Sequence, residues 1–242
     1  MLAAHGGAER WRSLRTLRVK ARFGGLAFRM RFAEPGPLPR WLELDLKVPR
    51  VVFEDYPRPG QRGVFTRDRV WIEDADGEVL HALDHPRERL LGSRRRQLWW
   101  DDLDLLYFAG YASWNYLQGP FLLLRDGVEV REIEPWTEGG ETWRRLRVCF
   151  HDAVPTHSRE QVFYFDREFR QRRHDYRPDV YAAWAQAAHY THDYRSFDGL
   201  RLPARRVVLP RGRDNRPAAG PVLVWIELLA VEAATDRATG PR

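Results

Sequence analysis

The sequence predicts a mostly β protein: a large, curved antiparallel sheet of about eleven short strands enclosing one central aromatic helix, with a short helix at the N-terminus. Three observations predict it. Apolar and polar residues alternate with a period of two in short runs along most of the 242 residues. Clusters of Gly, Pro and Asp separate those runs at regular intervals. One stretch, Leu98 to Leu117, breaks the alternation and repeats its large residues at helical spacing.

Leu2 to Trp11 reads as a short helix, weakened by Gly6 and Gly7. Leu17, Val19, Ala21 and Phe23 then alternate with Arg18, Lys20 and Arg22, and after Gly24-Gly25 the pattern resumes in Leu26, Phe28, Met30 and Phe32. That combination predicts a hairpin with glycines at the turn. Pro35 to Pro39 is a loop. Leu42 to Leu46, Val51 to Tyr56, Val64 to Thr66, Val70 to Ile72 and Val79-Leu80 extend the sheet, with turns at Pro57 to Gly60 and Asp74 to Gly77.

In the central segment, Leu103, Leu106, Gly110, Trp114 and Leu117 share a helical spacing; Asp101 or Asp102 can cap the start, and Gly119-Pro120 stops it. Strands return at Val128–Ile133, Thr142–Phe150, Gln161–Asp166, Phe169–Arg177, His189–Phe197, Arg205–Leu209 and Val222–Val231; Tyr181 to Ala188 is a helical turn or a loop. The chain reads as a single domain over residues 1–242, its tail frayed from about 233. A sheet of this many strands must curl or split, and the helix would then cover its concave side.

Net charge is +6, which invites a nucleic-acid reading. Against it, Lys20 and Lys47 are the only lysines, and the arginines interleave with Asp and Glu instead of clustering on one segment. No nucleic-acid partner is expected. The single cysteine, Cys149, excludes an internal disulfide and a cysteine metal cluster, and reads as a small strand residue. The N-terminus shows no signal peptide and no stretch has transmembrane length, which predicts a cytoplasmic protein without an integral membrane segment.

A Gly-Gly near the short N-terminal helix with Trp11, the strand Leu17-Arg18-Val19, then Tyr164-Phe165-Asp166, His174-Asp175-Tyr176 and Phe197-Asp198-Gly199-Leu200-Arg201-Leu202-Pro203 follow one another in order. This order resembles bacterial proteins of the LolA/LolB-like superfamily, the outer-membrane lipoprotein-sorting proteins and their relatives. The resemblance implies a half-barrel wrapped around helices, with an apolar cavity for acyl chains, no cofactor and no catalytic residues. Carriers of that family need an export signal, so the fold and the cavity carry over and the transport role does not.

Trp99, Trp100, Tyr107, Phe108, Tyr111, Trp114 and Tyr116 surround the central helix on more than one face. A helix apolar all round is a buried one, so the plain reading is a core helix. The functional reading makes Trp99, Trp100, Tyr107, Tyr111, Trp114 and Tyr116 the wall of a ligand cavity, with tyrosine and tryptophan tips as its polar contacts. His174, His189 and His192 fall in neighbouring strands. His189 and His192 point to opposite faces and make a poor chelate pair, so no metal site is expected. His174, paired across the sheet with Asp193 or Glu160, is a candidate general acid or base. Arg94-Arg95-Arg96 is a solvated loop or a grip for an anionic head group at the cavity mouth. Ser158 lacks a nucleophile elbow, and Gly24-Gly25 precedes a strand and so makes no phosphate loop.

Three functions fit. The first is binding of a hydrophobic small molecule or acyl chain. The second is a cofactor-free enzyme on the same scaffold, using His174, His189 or His192. The third is a protein-interaction module with exposed aromatics and a filled core.

Overall fold

Thirteen strands form one sheet in the computed structural model, which describes residues 1–36 and 38–235. The first six are β1 (Leu14–Gly24), β2 (Arg40–Asp45), β3 (Arg50–Glu54), β4 (Arg62–Thr66), β5 (Arg69–Glu73) and β6 (Val79–Asp84). The other seven are β7 (Glu129–Glu138), β8 (Glu141–Cys149), β9 (Glu160–Phe165), β10 (Gln171–Tyr176), β11 (Ala187–Phe197), β12 (Leu200–Pro210) and β13 (Val224–Thr235). The order across the sheet is β6-β5-β4-β3-β2-β1-β13-β12-β11-β10-β9-β8-β7, with every neighbour antiparallel. Two meanders thus run outward from a seam where β1 meets β13. The sheet curls without closing, a half-barrel as expected. Its thirteen strands exceed the expected eleven, and the short runs read at Val51 to Tyr56, Val64 to Thr66 and Val70 to Ile72 are β3, β4 and β5.

The edge strands β6 and β7 are both largely exposed. β7 carries Glu129, Arg131, Glu132 and Glu134, and its register with β8 shifts between Ile133 and Trp136, around Pro135. Charge, proline and a bulge keep an open edge from pairing with another chain.

One long connection joins the two edges, and it carries the helices. They follow α1 (Ala8–Ser13) and α2 (Leu26–Arg29): α3 (Pro86–Gly92) and α4 (Asp102–Gln118). α4 starts in a reciprocal capping box. The Asp101 carboxylate accepts from the Asp104 amide at 2.9 Å, and the Asp104 carboxylate accepts from the Asp101 amide at 3.1 Å. One side of α4 packs tightly on the sheet. Gly110 is required there, since a Cβ on it would lie 2.3 Å from Cγ of Phe65. No helix among the described residues is long and apolar enough to cross a membrane.

Two expectations need correction. Leu26 to Phe32 is not a strand: it forms α2 and a following turn, and β1 pairs with β2 and β13 instead. Burial there does not follow a period of two, since Ala27, Phe28 and Arg31 are buried while Met30 and Phe32 are exposed. Gly25, at φ 134°, brings the chain so close to Leu223 that the Ala27 amide bonds the Leu223 carbonyl at 2.9 Å. The tail is paired further than expected, because Ala233, Ala234 and Thr235 lie opposite Leu17, Thr16 and Leu14. The rest of the expected frayed tail, 236–242, lies outside the described residues.

Candidate functional site

The second side of α4 does not pack on the sheet. Ala109, Ala112 and Ser113 face Ala21 of β1 and Ala187 of β11 across a cavity of about 200 Å³. Small side chains from three distant elements meet here, and the void is what they leave unfilled. Its wall is almost wholly apolar, with Phe28, Leu42 and Leu228 among the residues that line it. Met30 and Trp184, 50% and 80% exposed, line it toward solvent.

The cavity has one polar patch. Tyr116, His157, Tyr176 and Arg206 all reach its surface, and all are buried. His157 sits between two phenols: its Nδ1 is 3.0 Å from the Tyr111 hydroxyl, and its Nε2 is hydrogen-bonded to the Tyr116 hydroxyl. A neutral imidazole must donate at one nitrogen and accept at the other, so one tyrosine accepts from it and one donates to it. The Tyr116 hydroxyl also meets that of Tyr176 at 2.6 Å. Behind these, His174 Nε2 bonds the Gln161 side-chain carbonyl, and His189 lies opposite His174 in the register of β10 and β11, with ring centroids 6.0 Å apart.

Burial sets the charge state of the cluster. It holds the imidazoles of His157 and His189 well below their usual range and that of His174 down to about 3. The nearby Arg206 charge pushes His174 and His189 the same way. The phenols of Tyr111, Tyr116 and Tyr176 are raised, again mainly by burial. Around neutral pH the cluster is therefore three neutral imidazoles, three neutral phenols and one guanidinium. It can donate and accept hydrogen bonds, but its imidazoles and phenols are far from titrating there.

The structure separates the residues expected to act together. Of the six aromatics expected to wall a cavity, Tyr116 does so. Tyr111 stands behind it through His157. Trp114 faces the sheet, where its Nε1 donates to the Asp45 and Val48 carbonyls at 2.9 and 3.1 Å. Trp100 is buried against Phe108. Tyr107 packs on Phe65 and borders a separate polar cleft with Arg87. Trp99 is on the surface, under Arg95 and Arg96. Trp99 and Trp100 precede α4, which begins at Asp102, and the helical period spreads the other four around its sides when only one side meets the cavity.

His174 and His189 join the cluster, whereas His192 points to the other face and stacks on Tyr190. The expected carboxylate partners of His174 are absent from its surroundings. Asp193 pairs with Arg205 outside, and it is Gln161, on the inward face of β9, that reaches His174. Asp175 turns away from His174 to the convex face, where it binds Arg173 at 2.6 and 2.8 Å and accepts from Tyr164. Arg96 does not wait at the mouth for an anion, because Asp101 and Asp104 hold it at 3.0 and 2.6 Å. Among the described residues no three His, Cys, Asp or Glu are grouped to hold a metal ion. Sequence reasoning passed over His157 and Arg206. His157 lies in an irregular segment with no period to read, although the inward phase of β12, shared by Ala204 and Val208, marked Arg206 as a cation on an apolar face.

The curled sheet and its enclosed helix have counterparts among solved structures. A DUF1329 family protein from Desulfovibrio piger aligns over 96% of this chain and 90% of its own, at 12% identity and a TM-score of 0.50. A LolA superfamily protein from Nitrosomonas europaea aligns over 93% and 87%, at 11% identity and a TM-score of 0.49. The fold is shared with the DUF1329 family protein. At such identities the likeness is one of fold alone. No family model matches the sequence, and no curated protein is significantly similar to it.

Proposed function

We propose that this protein binds a hydrophobic small molecule or acyl chain in the cavity between α4 and the concave face of the sheet. The observation that carries this reading is the void itself: about 200 Å³ of almost wholly apolar space, with a buried polar patch in its wall. Ligand sites combine apolar walls with a few placed polar groups in this way. A void of this size takes one ring or a short stretch of chain, since an engineered apolar cavity of about 150 Å³ holds benzene. A longer ligand would pass out between Met30 and Trp184.

The pKa directions favour binding over acid–base catalysis. A general acid or base works best with a pKa near the operating pH. Burial drives the imidazoles of His157, His174 and His189 and the phenols around them away from it, and no carboxylate hydrogen-bonds these imidazoles. Native mass spectrometry of the protein purified from its own host, followed by organic extraction, tests the reading. A defined apolar compound released on unfolding supports it. A protein that is empty and also takes up no added amphiphile refutes it.

A further inference from the structure

Arg206 is the only Asp, Glu, Lys or Arg among the described residues lining the cavity. It is 3% exposed, its Nη2 donates to the Tyr116 carbonyl at 2.6 Å, and its Nε has no hydrogen-bond partner. Among the described residues no carboxylate is ion-paired with it, and burial keeps the tyrosines around it, Tyr194, Tyr116 and Tyr176, neutral. Two other enclosed guanidiniums are paired with carboxylates. Arg173 is held by Asp175 and Glu138, and Arg96 by Asp101 and Asp104. Arg31, also buried, is bonded as Arg206 is, its Nη2 donating to the Tyr181 carbonyl at 2.8 Å and its Nε without a partner, but it has closer aromatic cover, 3.5 Å above the Tyr181 ring and 5.7 Å from that of Trp100. Arg206 has one ring, Tyr116, at 5.5 Å. Behind Tyr116, ring centroids 4.4 Å apart, His189 is fully buried with neither ring nitrogen bonded.

An isolated buried charge is unfavourable, and arginine cannot escape by losing its proton. We propose that the missing counter-charge arrives with the ligand: the cavity takes an apolar monocarboxylic acid whose carboxylate pairs with Arg206. This rests on the reading of the cavity as a ligand site and names the class of ligand. A planar guanidinium fork matches a carboxylate. One cation balances one charge, whereas a phosphate monoester carries about −1.5 to −2 at neutral pH.

Isothermal titration of the delipidated full chain with dodecanoate and with dodecan-1-ol tests it, on the wild type and on Arg206→Met. The acid should bind the wild type roughly tenfold to a hundredfold tighter than the alcohol, the range expected for hydrogen bonds to a charged group. Arg206→Met should erase that preference and leave alcohol binding intact, which also shows that the variant is folded. Carboxyl-labelled dodecanoate bound to the wild type adds a test without any variant: its 13C shift should titrate at lower pH than in the free acid. Equal binding of acid and alcohol, a preference that survives Arg206→Met, or a bound carboxyl that titrates at or above its free value overturns the inference and leaves the cavity reading standing. Binding of neither compound overturns both.

Discussion

The imidazole of His157 lies flat on the ring of Tyr176, centroids 4.0 Å apart and planes within 5° of parallel. The contact ties an irregular segment, Pro155 to Ser158, to the inward face of β10, and it presents both imidazole nitrogens to hydroxyls of α4. Helix and sheet are thus joined at the polar patch by a ring that has no apolar substitute of equal bonding capacity.

His157→Phe keeps the stacking and removes the bonds. The Tyr116 hydroxyl retains Tyr176, but that of Tyr111 loses the one partner it has here. A buried group left unpaired costs about 1–3 kcal/mol, and that loss should appear in urea unfolding. Tyr111→Phe should cost about 1 kcal/mol in the wild type and close to nothing in the His157→Phe background, since the hydroxyl is already stranded there. Additive losses would show that the bond carries no coupling.

Stability should fall in mild acid. The folded-state pKa values of His157, His174 and His189 are all lowered, that of His174 to about 3, from a usual 6.5. The unfolded chain therefore binds more protons between those limits. The contribution is fully present above about pH 6.5 and is lost as pH falls through the folded values. Each imidazole contributes up to about 1.4 kcal/mol per pH unit in that window. Urea midpoints measured from pH 7 to pH 4 should decline, and His174→Gln should make the decline shallower.

Gly110→Ala should destabilise, although alanine is the better helix former by about 1 kcal/mol. The added Cβ would meet Cβ, Cγ and Cδ2 of Phe65 at 2.3 to 2.7 Å. Overpacking typically costs about 1–3 kcal/mol, and more where the neighbour cannot yield. Phe65→Leu in the same chain should recover part of it, read as a coupling in thermal melts.

The two sides of α4 should respond oppositely to substitution. Ala112→Phe fills the cavity, and should hold or raise the melting temperature while abolishing uptake of dodecan-1-ol. Trp114→Ala empties a packed site, and should cost about 3–5 kcal/mol. If Trp114→Ala left stability unchanged and weakened binding alone, the division of the helix into a packed side and a cavity side would be wrong.

Much of the architecture was local enough to read without coordinates. The alternation of Leu17, Val19 and Ala21 with arginine and lysine placed β1 and its inward face, since a strand's side chains must alternate. Asp101 or Asp102 and Gly119 marked the ends of α4, and the cap is Asp101, because capping is a matter of neighbouring residues. The odd spacing of His189 and His192 correctly sent them to opposite faces.

What remained needed the third dimension. Leu26 to Phe32 alternates as a strand does, yet the approach of Gly25 to Leu223 turns it into α2, and that contact joins residues about two hundred positions apart. The cavity is missing volume shared by Ala21, Ala109, Ala112 and Ala187, each unremarkable in its own element. Arg206 is set apart by the cavity it lines and by the lack of a carboxylate beside it. Period and capping are properties of a segment and survive in one dimension; voids and unpaired charges are properties of how segments meet, and only the packed chain decides them.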